Sequence, residues 1–242
     1  MMKYIFIIAF SFSAKTLIAQ IFIDKGMIEY TVVVNNHKAM GEGSWADMFK
    51  DRIPKLTTSY YQLTFDTDKS IYLFNRKDDK TKSPFMNDNG EESVWYNDYR
   101  KESFVQQKPI FGNTYLLEDS LLHIDWKMTN ESRMIAGFNC RKAVGILFDS
   151  VYVFAFYTDE ITVSGGPMGL HGLPGMIMGI TIPRMFSSWV ANKVEVNGVS
   201  YNKIAAPAKG KKKKPEELKS TIIESTKDWG SYGQQAVWNM LL

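Results

Sequence analysis

The stretch at residues 165–180, GGPMGLHGLPGMIMGI, restricts the fold more than any other part of the chain. Six of its sixteen residues are glycine and two are proline, yet it lies between apolar runs. Gly166, Gly169, Gly172 and Gly175 recur at every third position. The helix cost of glycine and the presence of Pro174 argue against a helix, and three triplets are too few for collagen. An extended segment with about three residues per turn would align the four glycines along one edge with no Cβ atoms. Pro167, Leu170, Leu173 and Met176 then form a second, wholly apolar edge, and Met168, His171 and Pro174 a third. The apolar edge is expected to anchor the segment on the core. The bare edge would let its backbone pass close to a strand, an aromatic face or a ligand.

The flanking sequence reads mostly as short strands. Residues 26–34 are rich in β-branched side chains and end at Asn35-Asn36, a turn pair. Residues 60–65 and 70–74 flank Asp66-Thr67-Asp68 as a hairpin would. Further strands are predicted at 94–96, 115–117, 121–126, 138–148, 151–157, 176–182, 189–196 and 199–204, the last two joined by Asn197-Gly198. Residues 151–157, VYVFAFY, are apolar at every position, which predicts a central strand covered on both faces. In residues 176–182 the alternation of Met176, Met178, Ile180 and Ile182 reads as a core face. Ser44-Trp45-Ala46-Asp47 has the form of a capping box opening a short helix that stops before Pro54. Pro215-Glu216-Glu217 opens another, with acids at the positive end of its dipole. Residues 76–92 and the basic run 209–214 read as polar excursions, the latter either a solvated loop or a contact for lipid headgroups or an acidic partner. With no strand–helix–strand alternation, the expectation is a mainly β protein: a curved or partly closed antiparallel sheet with one or two short helices.

Residues 1–19 carry Lys3, an apolar run at 5–12 and Ala19 before Gln20. That pattern predicts a secretory signal peptide, with a retained N-terminal anchor as the competing reading. Residues 20–242 are then a single β-rich domain in the periplasm or otherwise exported. Loss of Lys3 and Lys15 takes the formal charge from +3 to about +1, too little for a field that gathers nucleic acid.

The single cysteine, Cys140, cannot form an internal disulfide, and its setting favours burial. The sequence has no His-Glu-x-x-His, nucleophile elbow, phosphate loop or dinucleotide fingerprint. Asp159 and Glu160 are adjacent and would point to opposite faces of a strand, so they do not form a facing acid–base pair.

His171-Gly172-Leu173-Pro174-Gly175-Met176-Ile177, preceded by Tyr157-Thr158-Asp159-Glu160-Ile161 and Gly166-Pro167, resembles the signature of the GLPGLI family. Gly26-Met27-Ile28-Glu29-Tyr30, the run Ile135-Ala136-Gly137-Phe138-Asn139-Cys140-Arg141-Lys142-Ala143 and the lysine-rich stretch before the last helix are similar too. Residues 147–152, LFDSVY, depart from the family, which has a Gly-Arg turn before the aromatic strand. The resemblance implies an exported envelope protein of Bacteroidetes-type bacteria with no assigned reaction, working beside an outer-membrane transporter.

The favoured function is a non-catalytic binding or accessory module that holds an apolar ligand or a partner's segment, with no cofactor. The competing reading of the same aromatic surplus is that it fills the core. Candidate contacts are Tyr152, Phe154 and Tyr157 on the aromatic strand and Gly166, Pro167, His171, Gly172, Leu173, Pro174 and Gly175 on the glycine segment. Two alternatives stay open. Met168 and His171, about 9 Å apart along an extended backbone, offer a thioether and an imidazole to Cu(I). Cys140 with His171 or His123 offers the nucleophile–base pair of a hydrolase.

Overall fold

The computed structural model describes residues 22–41, 44–81, 89–148 and 150–242. The signal-peptide reading and residues 82–88 of the predicted polar excursion lie outside them. The elements run β1 (Gly26–Asn35), α1 (Asn36–Ala39), α2 (Ser44–Lys50), β2 (Leu56–Phe65), β3 (Lys69–Lys77), β4 (Val94–Asp98), β5 (Ser103–Ile110), β6 (Asn113–Ser120), β7 (Lys127–Ile135), β8 (Phe138–Leu147), β9 (Val151–Thr158), β10 (Met176–Ile182), β11 (Ser187–Glu195), β12 (Lys211–Lys212), α3 (Pro215–Thr226) and α4 (Ser231–Leu241).

All twelve strands belong to one sheet, in the order β12-β6-β5-β4-β3-β2-β1-β11-β10-β9-β8-β7. Every ladder is antiparallel except that of β12 with β6, and the sheet does not close into a barrel. The mainly β, curved antiparallel architecture expected from the sequence is therefore the one observed. No described helix is long and apolar enough to cross a membrane.

Alternation explains the central strands. On β1, Ile28, Tyr30 and Val32 are buried while Met27, Glu29 and Thr31 are less so, the pattern of a half-covered strand. β2 and β3 form the predicted hairpin around Asp66, whose carboxylate accepts from the amides of Asp68 and Lys69. β10 is buried along nearly its whole length. A bulge between Ile177 and Gly179 shifts its register on β9. The main core gathers side chains from both halves of the sheet. A second cluster, Ile110, Leu117, Leu218, Ile222 and Val237, packs α3 and α4 onto β5 and β6.

Several expectations need correction. Residues 121–126 form no strand: Ile124 is buried in the core and Trp126 Nε1 donates to the His171 carbonyl, so the segment is held by side chains and not by a ladder. Asn197-Gly198 does not join two strands: β11 ends at Glu195, and Tyr201–Lys203 is a single 3-10 turn. β9 lies third from the β7 edge and is not covered on both faces. Val151, Val153, Ala155 and Tyr157 are buried, but Tyr152 is 53% exposed. Phe154 and Phe156 are roofed by cations, with Lys142 Nζ 5.2 Å and the Arg133 guanidinium 3.7 Å from the ring centroids. Cationic stems thus replace the second apolar layer that the sequence pattern suggested.

Candidate functional site

The inner face of the sheet changes character along its strands. At one end β1 and β2 pair Ile28 with Leu63 and Tyr30 with Tyr61; at the other, Val32 faces Ser59 and Val34 faces Thr57. Thr57, Ser59, Asn36 and Ser187 are all buried there. Asn36 Nδ2 donates to Thr57 Oγ1 and to the Pro54 carbonyl, each at 2.7 Å, and Ser187 Oγ donates to the Met185 carbonyl at 2.7 Å.

A cavity of about 550 Å³ lies at this polar end. Tyr61, Tyr72, Trp95 and Trp189 form its aromatic walls, Val32, Met168 and Met185 add aliphatic surface, and Met240 and Leu242 line it from α4 and the residue that follows. The lining requires the sheet to curl. Lys108 of β5 and Trp189 of β11 both face the cavity, yet their strands are five positions apart, about 24 Å in a flat sheet. The volume falls within the range usual for small-molecule pockets.

Among the described residues one cation faces this space. On β5 the inward side chains are Gln106, Lys108 and Ile110, so two polar groups occupy positions where a core strand would carry apolar ones. Lys108 is only 6% exposed. Its Nζ sits 5.4 Å from the Trp95 ring centroid and makes no hydrogen bond or ion pair among the described residues. Burial alone pulls its ammonium down from the ordinary lysine value to about 7. The described lining contains no Asp, Glu or His. Its other titratable side chains are the phenols of Tyr61 and Tyr72. The Tyr72 hydroxyl is buried and unpaired: the Trp189 side chain approaches it without reaching hydrogen-bond geometry. Desolvation raises its pKa well above that of a free phenol. Tyr61 stacks on Tyr72 with centroids 5.2 Å apart.

The glycine segment braces this wall. It is not a continuous three-residue helix: Pro167–Gly169 forms a 3-10 turn, and Gly169, Gly172 and Gly175 have φ of +71°, +94° and +131°. The predicted edges nevertheless hold in outcome. Pro167, Leu170, Leu173 and Met176 are all buried. The glycine edge meets four different neighbours: Gly166 abuts Ile177, Gly169 abuts Trp95, Gly172 abuts Trp126 and Gly175 abuts the Thr158 carbonyl. At Gly169 a Cβ would lie 3.0 Å from the Trp95 ring, and Asn97 Nδ2 donates to the Gly169 carbonyl at 3.1 Å. The segment therefore presses on the same indole that lies beneath Lys108. At Gly175 a Cβ would overlap the Thr158 carbonyl oxygen, so only glycine fits.

The residues singled out from the sequence are dispersed. Tyr152 and Phe154 sit on the face of β9 opposite Val153, and Tyr157 is buried in the core. Pro174 and Gly172 are exposed. Of the copper pair, Met168 lines the cavity, whereas His171 lies beside Leu122 and His123, its Nε2 buried and unpaired and its carbonyl accepting from Trp126 Nε1 at 2.8 Å. Desolvation lowers the His171 pKa, opposed by the Leu122 backbone. No cluster of three or more His, Cys, Asp and Glu side chains suited to a metal occurs among the described residues. Cys140 is fully buried, its Sγ 3.5 Å from the Phe138 carbonyl, and burial pushes its thiol up to about 11. Lys108, Tyr72, Trp95 and Trp189 were not singled out from the sequence. The available signal was the polar run Gln106-Gln107-Lys108 between stretches that read as strand.

No family model matches the sequence, and no curated protein does. Among solved structures the chain is similar to PNGF-II in two crystal forms. The TM-scores are 0.53 and 0.51 and the identities 16% and 17%, each over 84% of this chain. The chain spans about a third of the length of PNGF-II, 34% and 33% in the two forms. An uncharacterized conserved protein from Thermus thermophilus aligns at a TM-score of 0.38 and 5% identity, over 77% of this chain and 90% of its own. The likeness to PNGF-II is one of β-rich fold.

Proposed function

We propose that this chain is a non-catalytic binding or accessory protein of the cell envelope, of the GLPGLI type and exported on loss of residues 1–19. In this reading it holds the apolar body of a ligand, or a partner's segment, in the cavity on the inner face of its sheet. One observation carries the reading: a space of about 550 Å³ walled by Tyr61, Tyr72, Trp95 and Trp189 at an end of the inner face where the buried polar side chains Asn36, Thr57, Ser59 and Ser187 collect. A chain optimised only for stability would close such a space with larger side chains, since an empty cavity forfeits packing energy. The glycine segment acts as a brace for the Trp95 wall in this scheme, and the ligand itself lies against Trp95, Tyr72 and Trp189.

Native mass spectrometry of protein purified from its own envelope tests the reading. The expected result is an adduct that disappears in a Ser187→Trp variant, which fills the cavity. Recovery of the bare polypeptide mass alone, with no co-purified partner, would overturn it.

A further inference from the structure

We infer that the ligand of this cavity is a small amphipathic monocarboxylate, its carboxylate on the Lys108 ammonium and its apolar body against Trp95, Trp189 and Tyr72. The inference rests on the binding reading above and adds the chemical class of the ligand.

Three observations carry it. Lys108 is buried and aimed into the cavity, and it has no anionic partner among the described residues. A lone buried ammonium destabilises a fold unless something pairs with it, and the Trp95 face at 5.4 Å is only a partial partner. The missing counter-charge is thus a ligand's. The charge of that ligand follows from the count: Lys108 is the only Lys or Arg in the described lining, so it balances a monoanion and would leave a phosphate dianion or a dicarboxylate undercompensated. The remaining wall sets the body of the ligand, because Trp95, Trp189, Val32, Met168 and Met185 accept alkyl or aryl surface. The unpaired Tyr72 hydroxyl offers one further donor in the same lining.

Calorimetric titration of the full chain with decanoate and with 1-decanol, two probes of equal chain length and different charge, tests this. At pH 6.5 decanoate is expected to bind at least tenfold more tightly than decanol. Lys108→Met should abolish that preference, so that the two probes bind the variant with equal affinity. A second measurement needs no variant: decanoate affinity should fall between pH 7 and pH 10 as Lys108 loses its proton, while decanol affinity stays level. Within that window the Tyr72 phenol stays protonated, and the same decline persisting in Lys108→Met would assign the trend to Tyr61 and overturn the inference. Equal binding of the two probes, or a preference that survives Lys108→Met, would overturn the inference and leave the binding reading intact. Binding of neither probe, together with a bare mass from the envelope, would overturn both.

Discussion

The Tyr30 hydroxyl donates to the Ile177 carbonyl at 2.6 Å, reaching from β1 past β11 to the bulge of β10. Tyr30 lies opposite Ala191 on β11, whose small side chain leaves room for the phenol to cross. At the same bulge the Ile177 amide donates to the Gly165 carbonyl at 2.8 Å, so Tyr30 and the start of the glycine segment fix one point of the backbone together. Tyr30→Phe keeps the ring and leaves a buried carbonyl unpaired, at a cost of about 1–3 kcal/mol. A urea titration should show a lower midpoint with an unchanged slope.

Lys108→Met is expected to stabilise the protein, and the size of the gain depends on pH. The folded-state value of about 7 lies below the ordinary 10.5. A depressed value means the folded state resists the proton that the unfolded chain takes up. The penalty is absent above pH 10.5, grows as pH falls toward 7 and is constant below that. Its upper bound is roughly 5 kcal/mol, less whatever local rearrangement relieves. Denaturation of the wild type and the variant at pH 6 and pH 10 should show a gain of a few kcal/mol at the lower pH that nearly vanishes at the higher one. A variant less stable than wild type at pH 6 would show that Lys108 has a partner in the folded chain.

Gly175 and Gly172 separate steric from conformational demand. Both have positive φ, but a Cβ at Gly175 overlaps the Thr158 backbone, while one at Gly172 would make an ordinary 3.4 Å contact with Trp126. Gly172→Ala should therefore cost about 1–2 kcal/mol from the left-handed backbone alone. Gly175→Ala should cost about 3 kcal/mol or more, because strands β9 and β10 must also part. Thermal melts of the two variants, run side by side, give the ordering.

Cys140 should behave as an inert core side chain. A thiol held near 11 carries about two orders of magnitude less thiolate at pH 8 than an ordinary cysteine. Labelling with iodoacetamide should be negligible in buffer and complete in denaturant. Rapid native labelling, or loss of a measurable hydrolysis rate on Cys140→Ser, would restore the nucleophile reading.

What the sequence reveals and what it hides follow from the same physics. β1, the β2–β3 hairpin, β8, β9 and β10 were legible because one or both of their faces are apolar and their turns carry Asp, Asn or Gly. β5 was hidden because its inward face bears Gln106 and Lys108, the reverse of the usual pattern, and Pro109 lies within it. The residues that suppress the strand signal are those that make the cavity chemically distinctive, so the element went unseen for the reason it matters. β7 was hidden for a different reason: it is the exposed edge of the sheet, with Met128 and Met134 in solvent and Glu131 and Arg133 between them, and it has no alternation to read. The anchoring of Leu170 and Leu173 was legible from spacing alone. The identity of the surfaces that the glycine edge meets was not, since Trp95 against Gly169 and Trp126 against Gly172 come from segments 40 or more residues away in the chain.

Strand β1 lies near the start of the chain but sits between β2 and β11, and its ladder with β11 joins Met27 to Glu195. During synthesis, every nascent chain that stops short of β11 has an open edge at its first strand and lacks Trp189 altogether. Folding of the wall that would face a ligand must therefore wait for nearly the whole polypeptide. Pairing over so long a sequence separation is slow to form, and until it forms the open edge of β1 is exposed to wrong partners.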